Sequence, residues 1–267
     1  MTIKKIIEKR VSVRTFDPSR KLDTDVVEEL KKSIRNASTP FGDGFTIEFK
    51  KFDLKGPQTP STYGVISGAG WYLLMGIRDD EMASLAAGYG MEKVVLTATE
   101  LGLGTCWMAL TFKGSDFTKG SEMRADQPLR IISPVGYAAN KRKMLESITR
   151  MTLGSAKRKP MDYLFSEGEF GNPVKKDNKF YDALAMMRLA PSAKNTQPWR
   201  ALVQGSDVWF YYEKKTDVSV LDLGIGLCHF DLTLKADGLE GIWDRSVDAP
   251  DKQGYIPMVK FSLKDCH

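Results

Sequence analysis

Three cysteines and two histidines in 267 residues leave this sequence poor in the side chains that bind metals and shuttle protons. Cys106, Cys228 and Cys266 follow no metal-ligand or disulfide-framework spacing. No metal site is expected, and so sparse and odd a set fits a reducing, cytosolic compartment. His229 and His267 leave little room for histidine catalysis, and His229, inside a predicted helix, reads as structural. No apolar run approaches the ~18 residues that a membrane helix needs. The opening MTIKKIIEKR reads as the start of a charged amphipathic helix without a signal-peptide core. The phosphate loop G-x-x-x-x-G-K-[ST], the zinc motif H-E-x-x-H and the nucleophile elbow G-x-S-x-G are all missing. Gly102-Leu-Gly104 copies half of a dinucleotide fingerprint, but it closes a predicted helix and the third glycine position holds Trp107.

What is present is ordinary globular material, 42% hydrophobic and 27% charged. This length suggests one compact entity, with an internal duplication as the natural way to fill it. A net charge of +5 raises the question of nucleic acid. The basic residues form short clusters, Lys141-Arg142-Lys143 and Lys157-Arg158-Lys159, rather than a stripe interleaved with aromatics. Such clusters are solvated surface or, less often, hold the phosphate of a small ligand.

Element order repeats along the chain. A helix over 25–36, with Val26, Val27, Leu30 and Ile34 on one face and Asp25 with Glu28 as a capping box, precedes strands at 45–52 and 71–75. A long helix over 79–101 and a strand at 129–135 follow. After a basic connector over 139–160, a helix at 180–189 leads into a hairpin of 200–203 with 208–212, then a helix near 224–237 and a strand at 257–263. At an offset of 154, Arg10–Phe16 falls on Leu164–Phe170, Ser38 on Ser192 and Phe45 on Trp199. Beyond an insertion around 53–70 the offset becomes 136, which carries Gly102-Leu103 onto Gly238-Leu239 and Trp107 onto Trp243. Two halves, 1–148 and 149–267, are expected.

Two segments carry the chemistry. Ala190-Pro-Ser192-Ala-Lys194-Asn195-Thr-Gln197-Pro-Trp199 joins a predicted helix to a strand and concentrates donors and acceptors beside a tryptophan. In Arg10-Val-Ser12-Val-Arg14, an extended backbone turns two guanidiniums and a hydroxyl to one side, a set that suits phosphate oxygens. Alone, that segment reads better as a solvated basic edge following a helix. Cys106 beside Trp107 reads as a small buried side chain, and the five tryptophans read chiefly as core.

R-x-S-x-R-x-F with A-P-S-x-x-N-x-Q-P-W, and Glu100-Leu-Gly-Leu-Gly-Thr-Cys-Trp-Met108 at the end of the long helix, resemble the nitroreductase family of flavoproteins over essentially the whole chain. The resemblance implies an α+β fold, with helix-flanked sheets in two related halves forming an intrachain pseudo-dimer. It implies that Arg10, Ser12 and Arg14 hold the phosphate and ribityl chain of FMN. Pro191, Ser192, Asn195 and Gln197 would lie along the ribityl and ring, and Met108, Ala109 and Leu110 would offer backbone to the reactive edge. Arg158, ahead of Pro160, would complete the phosphate site, and Lys194 could add positive charge near the ring.

Ordinary members carry both motifs in one half and place each of two flavins between subunits. Here the motifs are split between the halves, and their counterparts are gone: Leu164 and Gly168 stand for the arginines, Phe41 and Asp43 for Asn195 and Gln197. The resemblance therefore implies a fused chain with one surviving composite site, able to act as a monomer. The implied activity is ping-pong hydride transfer from NADH or NADPH, through FMN, to a nitroaromatic or quinone-like acceptor, with no catalytic side chain. The alternative is a flavin-binding protein of this fold without catalysis. Neither nucleic acid nor membrane is an expected partner.

Overall fold

The computed structural model describes residues 1–56, 59–139, 157–245 and 248–264. The chain forms two compact units, Lys9–Gly154 (the first) and Met1–Glu8 with Ser155–His267 (the second). The opening helix α1 (Ile3–Lys9) thus contributes its first residues to the second unit. Its Ile6 and Ile7 are buried, and Lys4 Nζ lies 2.8 Å from Asp182 Oδ2 and 2.9 Å from Asp237 Oδ2. The expected boundary at 148/149 and the cluster Lys141–Lys143 lie outside the described residues.

In the first unit, the apolar run Trp71–Ile77 (β2) is an inner strand, as such a run must be to bury both faces. It pairs antiparallel with β1 (Phe45–Lys51) on one side and β4 (Leu129–Gly136) on the other. The short β3 (Gly104–Thr105) completes the order β1-β2-β4-β3. Helices α2 (Thr24–Arg35) and α3 (Glu81–Glu100) pack on this sheet. Helix α3 is apolar on nearly all sides and is buried accordingly. Asp80 caps its start, accepting from Ala83 N at 2.7 Å, and Gly102 ends it in the left-handed region, φ 79°.

The expected Asp25–Glu28 capping box does not form. Asp23 is the N-cap residue and makes no side-chain cap bond. That leaves Asp25 inside the first turn, while Glu28 pairs with Lys31 at 2.8 Å. A short helix α4 (Gly114–Thr118) brings Phe117 edge-on to Phe52, Tyr72 and Phe112 in the core.

The second unit holds a five-stranded sheet in the order β5-β6-β7-β9-β8. Its strands are β5 (Phe165–Glu167), β6 (Trp199–Gln204), β7 (Asp207–Tyr212), β8 (Gly241–Asp244) and β9 (Ile256–Leu263). The β6–β7 hairpin turns at Gly205, whose φ of 62° suits glycine. Helix α5 (Met161–Leu164) leads into β5, and α6 (Tyr181–Arg188) and α7 (Ser219–Ala236) pack together. Phe180, Phe210, Phe230, Trp243 and Phe261 form a contiguous aromatic core.

The order β1-β2-β4-β3, with α3 following β2, matches β6-β7-β9-β8, with α7 following β7. The 154-residue offset carries the first residue of β1 onto the first of β6. Both tryptophans matched at the second offset tie back to their own long helix. Trp107 Nε1 donates to Glu92 at 2.8 Å, and Trp243 Nε1 donates to Asp231 at 3.2 Å.

One sequence equivalence fails. Residues 10–16 run beside β3, with Ser12 bridging Thr105, whereas Phe165–Glu167 pairs parallel with β6, at the other end of the shared strand order. Sequence spacing follows the chain, and the edge to which a short segment is added is a separate choice.

Candidate functional site

The first unit holds one of the two motifs. Val13 and Phe16 enter the core, which fixes the segment's register. Val13 N donates to Thr105 O at 2.8 Å, and Ser67 N donates to Arg14 O at 2.9 Å. Arg10 is buried, with Nε 3.8 Å from Oε1 of Glu92, a fully buried carboxylate on α3. Arg10 therefore shares its charge with the protein, and Arg14 and Ser12 are the less buried members of the trio. All three converge on Cys106: the Ser12 hydroxyl bonds the thiol and both arginines act on it. Burial outweighs them and pushes the thiol up.

Beyond Cys106, the Met108 N–H is spent on Ile132 O, and Met108 O accepts from Ile132 N, each at 3.0 Å. Ala109 is half-buried and Leu110 is 84% exposed. Any backbone N–H offered from this stretch must come from these two rather than from Met108.

The second unit holds the other motif. Helix α6 stops before Pro191, a short 3₁₀ turn covers Ala193–Asn195, and β6 begins after Pro198. Lys194, Asn195 and Gln197 all have left-handed φ, near 50°. Each costs about 1 kcal/mol or more for a non-glycine residue, so the loop must be held by its contacts. Ser192 Oγ accepts from Gln197 N at 2.9 Å. Asp222, buried in the first turn of α7, accepts from Ala193 N at 3.0 Å. Burial pushes the Asp222 carboxyl up to about 8, against the opposing bond from Ala193.

The basic residues Lys157, Arg158 and Lys159 wrap this loop. Asn195 Nδ2 donates to Lys157 O at 2.9 Å, and Gln197 Nε2 donates to the same oxygen at 3.2 Å. Gln197 Oε1 accepts from Lys159 N at 2.8 Å. Arg158 Nη1 donates to Asn195 Oδ1 and Nη2 to Leu189 O, both at 3.1 Å. Lys159 Nζ donates to Thr196 O at 2.7 Å. Desolvation first, then Arg200 and Lys215 against Glu213, hold the Lys159 ammonium below its ordinary range.

Within its own unit, each group of sequence-predicted residues comes together: Arg10, Ser12 and Arg14 around Cys106, and Arg158, Ser192, Asn195 and Gln197 in one hydrogen-bonded cluster. Pro191 and Lys194 belong to the same loop, with Lys194 exposed. Trp199 is fully buried and belongs to the core. His229 is buried, its Nδ1 3.1 Å from Met186 O, in keeping with a structural role. Sequence reasoning missed Glu92 and Asp222. The available signal was a carboxylate inside an apolar helix, a residue type rarely buried without a purpose. Among the described residues no group of side chains could hold a metal ion, and no helix is long and apolar enough to cross a membrane.

A family model described as "Putative TM nitroreductase" matches residues 2–234. No curated protein matches the chain. A solved structure from Thermotoga maritima MSB8 that carries a nitroreductase description is 22% identical, with a TM-score of 0.64 over 98% of this chain and 94% of its own. That likeness establishes the fold. A nitroreductase with bound FMN from Bacteroides fragilis NCTC 9343 is 15% identical, with a TM-score of 0.42 over 51% of this chain and 88% of its own. An FMN-dependent nitroreductase from Clostridium difficile R20291 is 14% identical, with a TM-score of 0.40 over 51% and 87%.

Proposed function

The chain belongs to the TM nitroreductase family, and from that premise we propose that it is an FMN-dependent oxidoreductase that uses NADH or NADPH. The observation that carries the reading is the polar loop Ser192–Gln197 with the Arg158 guanidinium bonded to Asn195. A flavin phosphate is a dianion that calls for guanidiniums and hydroxyls, which form short, charge-assisted hydrogen bonds. Ser12 and Arg14 in one unit, and Arg158 in the other, are groups of this kind, so the donor types fit. Glu92 offsets part of the Arg10 charge, so Arg10 serves chiefly to fix the segment that bears Ser12 and Arg14.

In this reading Pro191, Ser192 and Asn195 form the wall for the ribityl and ring, Gln197 holds that loop from within through its bonds to Lys157 O and Lys159 N, and Ala109 and Leu110 offer backbone. Bound FMN would supply the redox chemistry, alternating between hydride from NADH or NADPH and a nitroaromatic or quinone-like acceptor. The protein's part is binding, orientation and exclusion of water. With the two motifs on one chain, we assign one FMN per chain and a functional monomer.

The deciding experiment is a visible spectrum of the purified protein, loaded with FMN and freed of excess, before and after anaerobic NADH or NADPH. One equivalent of flavin that bleaches with either nucleotide is the expected result. Flavin that stays oxidised with both nucleotides yet bleaches with dithionite would mean a flavin-binding protein without this activity. No retained flavin would overturn the reading.

A further inference from the structure

Gln197 is almost wholly buried, at 2% exposure, and sits at the centre of the cluster just described. Its Oε1 accepts the Lys159 N–H, and its Nε2 is within 3.2 Å of Lys157 O, Asn195 O and Asn195 Oδ1. The backbone takes part as well: Gln197 N donates to Ser192 Oγ, and Gln197 O accepts from Arg200 Nη1 at 3.2 Å. The side-chain amide thus grips the main chain on both sides of Arg158. Its donors are spent on protein acceptors, so the side chain is a fastening rather than a ligand-facing group. A residue that holds an unfavourable φ of 48° and still satisfies its amide through one three-residue strap is placed to control that strap.

We propose that Gln197 is a positioning residue, which fixes Lys157–Lys159 so that the Arg158 charge is available to a phosphate group, and which thereby makes the site prefer a phosphorylated flavin to the unphosphorylated one. The proposal rests on the flavin reading above for its ligand, and on the hydrogen bonds alone for the strap. Asn195 shares the task, since it links Lys157 O to the Arg158 guanidinium.

The test compares FMN with riboflavin. Gln197→Met keeps length and neutrality and removes every side-chain hydrogen bond. Binding of each flavin to the flavin-free full chain is titrated by fluorescence quenching, and exchange of the Lys159 amide hydrogen is followed by mass spectrometry. The expected result is FMN affinity lowered roughly tenfold, the scale of one charge-assisted bond, with riboflavin affinity within about twofold of wild type. The Lys159 amide should exchange faster in the variant. An unchanged preference, or a parallel fall for both flavins with Lys159 still protected, overturns the proposal. If Gln197→Met does not fold, Arg158→Gln takes its place: loss of the FMN preference is expected, and its retention overturns the proposal. A wild-type chain that binds neither flavin would sink the flavin reading itself, and Lys159 exchange would then decide whether Gln197 holds the strap.

Discussion

At the scale of single residues, the two arginines of one motif have different duties. Arg10 faces a fully buried Glu92, so Arg10→Ala removes the guanidinium beside a buried carboxylate that keeps its bond from Trp107, and should cost about 3 kcal/mol of stability, read as a lower urea midpoint. Arg14→Ala should leave that midpoint near wild type and weaken FMN binding by about 1.5–3 kcal/mol, read by fluorescence titration. If the two effects trade places, the division of labour is wrong. Asp222 yields a pH prediction. Its carboxyl is raised to about 8 in the folded chain from an ordinary 3.8, so between these limits the folded state keeps a proton that the unfolded state releases. Stability is therefore favoured at the acid end of the window and falls as pH rises toward 8. Asp222→Asn keeps an acceptor for Ala193 and removes the titration. Its midpoint should gain on wild type between pH 5 and pH 8, and parallel curves would contradict this. Residue types were legible in the sequence, since the motifs name Arg10, Arg14, Asn195 and Gln197. Their duties were not, because a string of letters does not say which charges another buried group has already met. Glu92 is 82 positions from Arg10 and Lys157 is 40 positions from Gln197.

At the scale of elements, alternation and apolar runs placed the six longer strands and both long helices, while the short β3, β5 and β8 were not legible. Burial depends on local composition, and Gly102 and Gly205 mark their turns by conformations that glycine favours. The capping box expected for α2 misled because the motif matched two residues past the true N-cap, Asp23. The 10–16 segment shows the limit of period and offset: its similarity to 164–170 is real in letters, yet the two lie beside different strands. That placement depends on a close approach at Gly104, where an added Cβ would stand 2.6 Å from the Val13 side chain. Gly104→Ala should push Val13 away from β3 and carry Ser12 and Arg14 with it. We expect a loss of about 1–3 kcal/mol in stability together with weaker FMN binding. Thermal unfolding and titration on the same sample will show whether the two losses travel together. Unaltered flavin affinity in a destabilised variant would separate the glycine from the site.

At the scale of the whole molecule, the repeated strand order β1-β2-β4-β3 and β6-β7-β9-β8 is what the recurring element order in the sequence led one to expect. The membership of α1 was not legible: an amphipathic helix states that one face needs cover and is silent on which part of the chain provides it. Ile7→Ala removes a side chain that is 2% exposed and should cost about 2–4 kcal/mol. The loss should show as faster hydrogen exchange in β6, β7 and β9, with β1 and β2 little changed. Equal loosening of both sheets would mean that α1 supports the chain in general. The assignment of α1 also bears on time. A ribosome releases the chain from its first residue, so residues 9–154 can begin to fold while the rest is still being made. The first eight residues have no such freedom. They leave the ribosome before residues 9–154, and their own unit is not whole until β9 has followed. Residues made before the first unit thus settle after it. During that interval Ile6 and Ile7 are uncovered, which is when a chaperone, or a second nascent chain, has its best opportunity to bind.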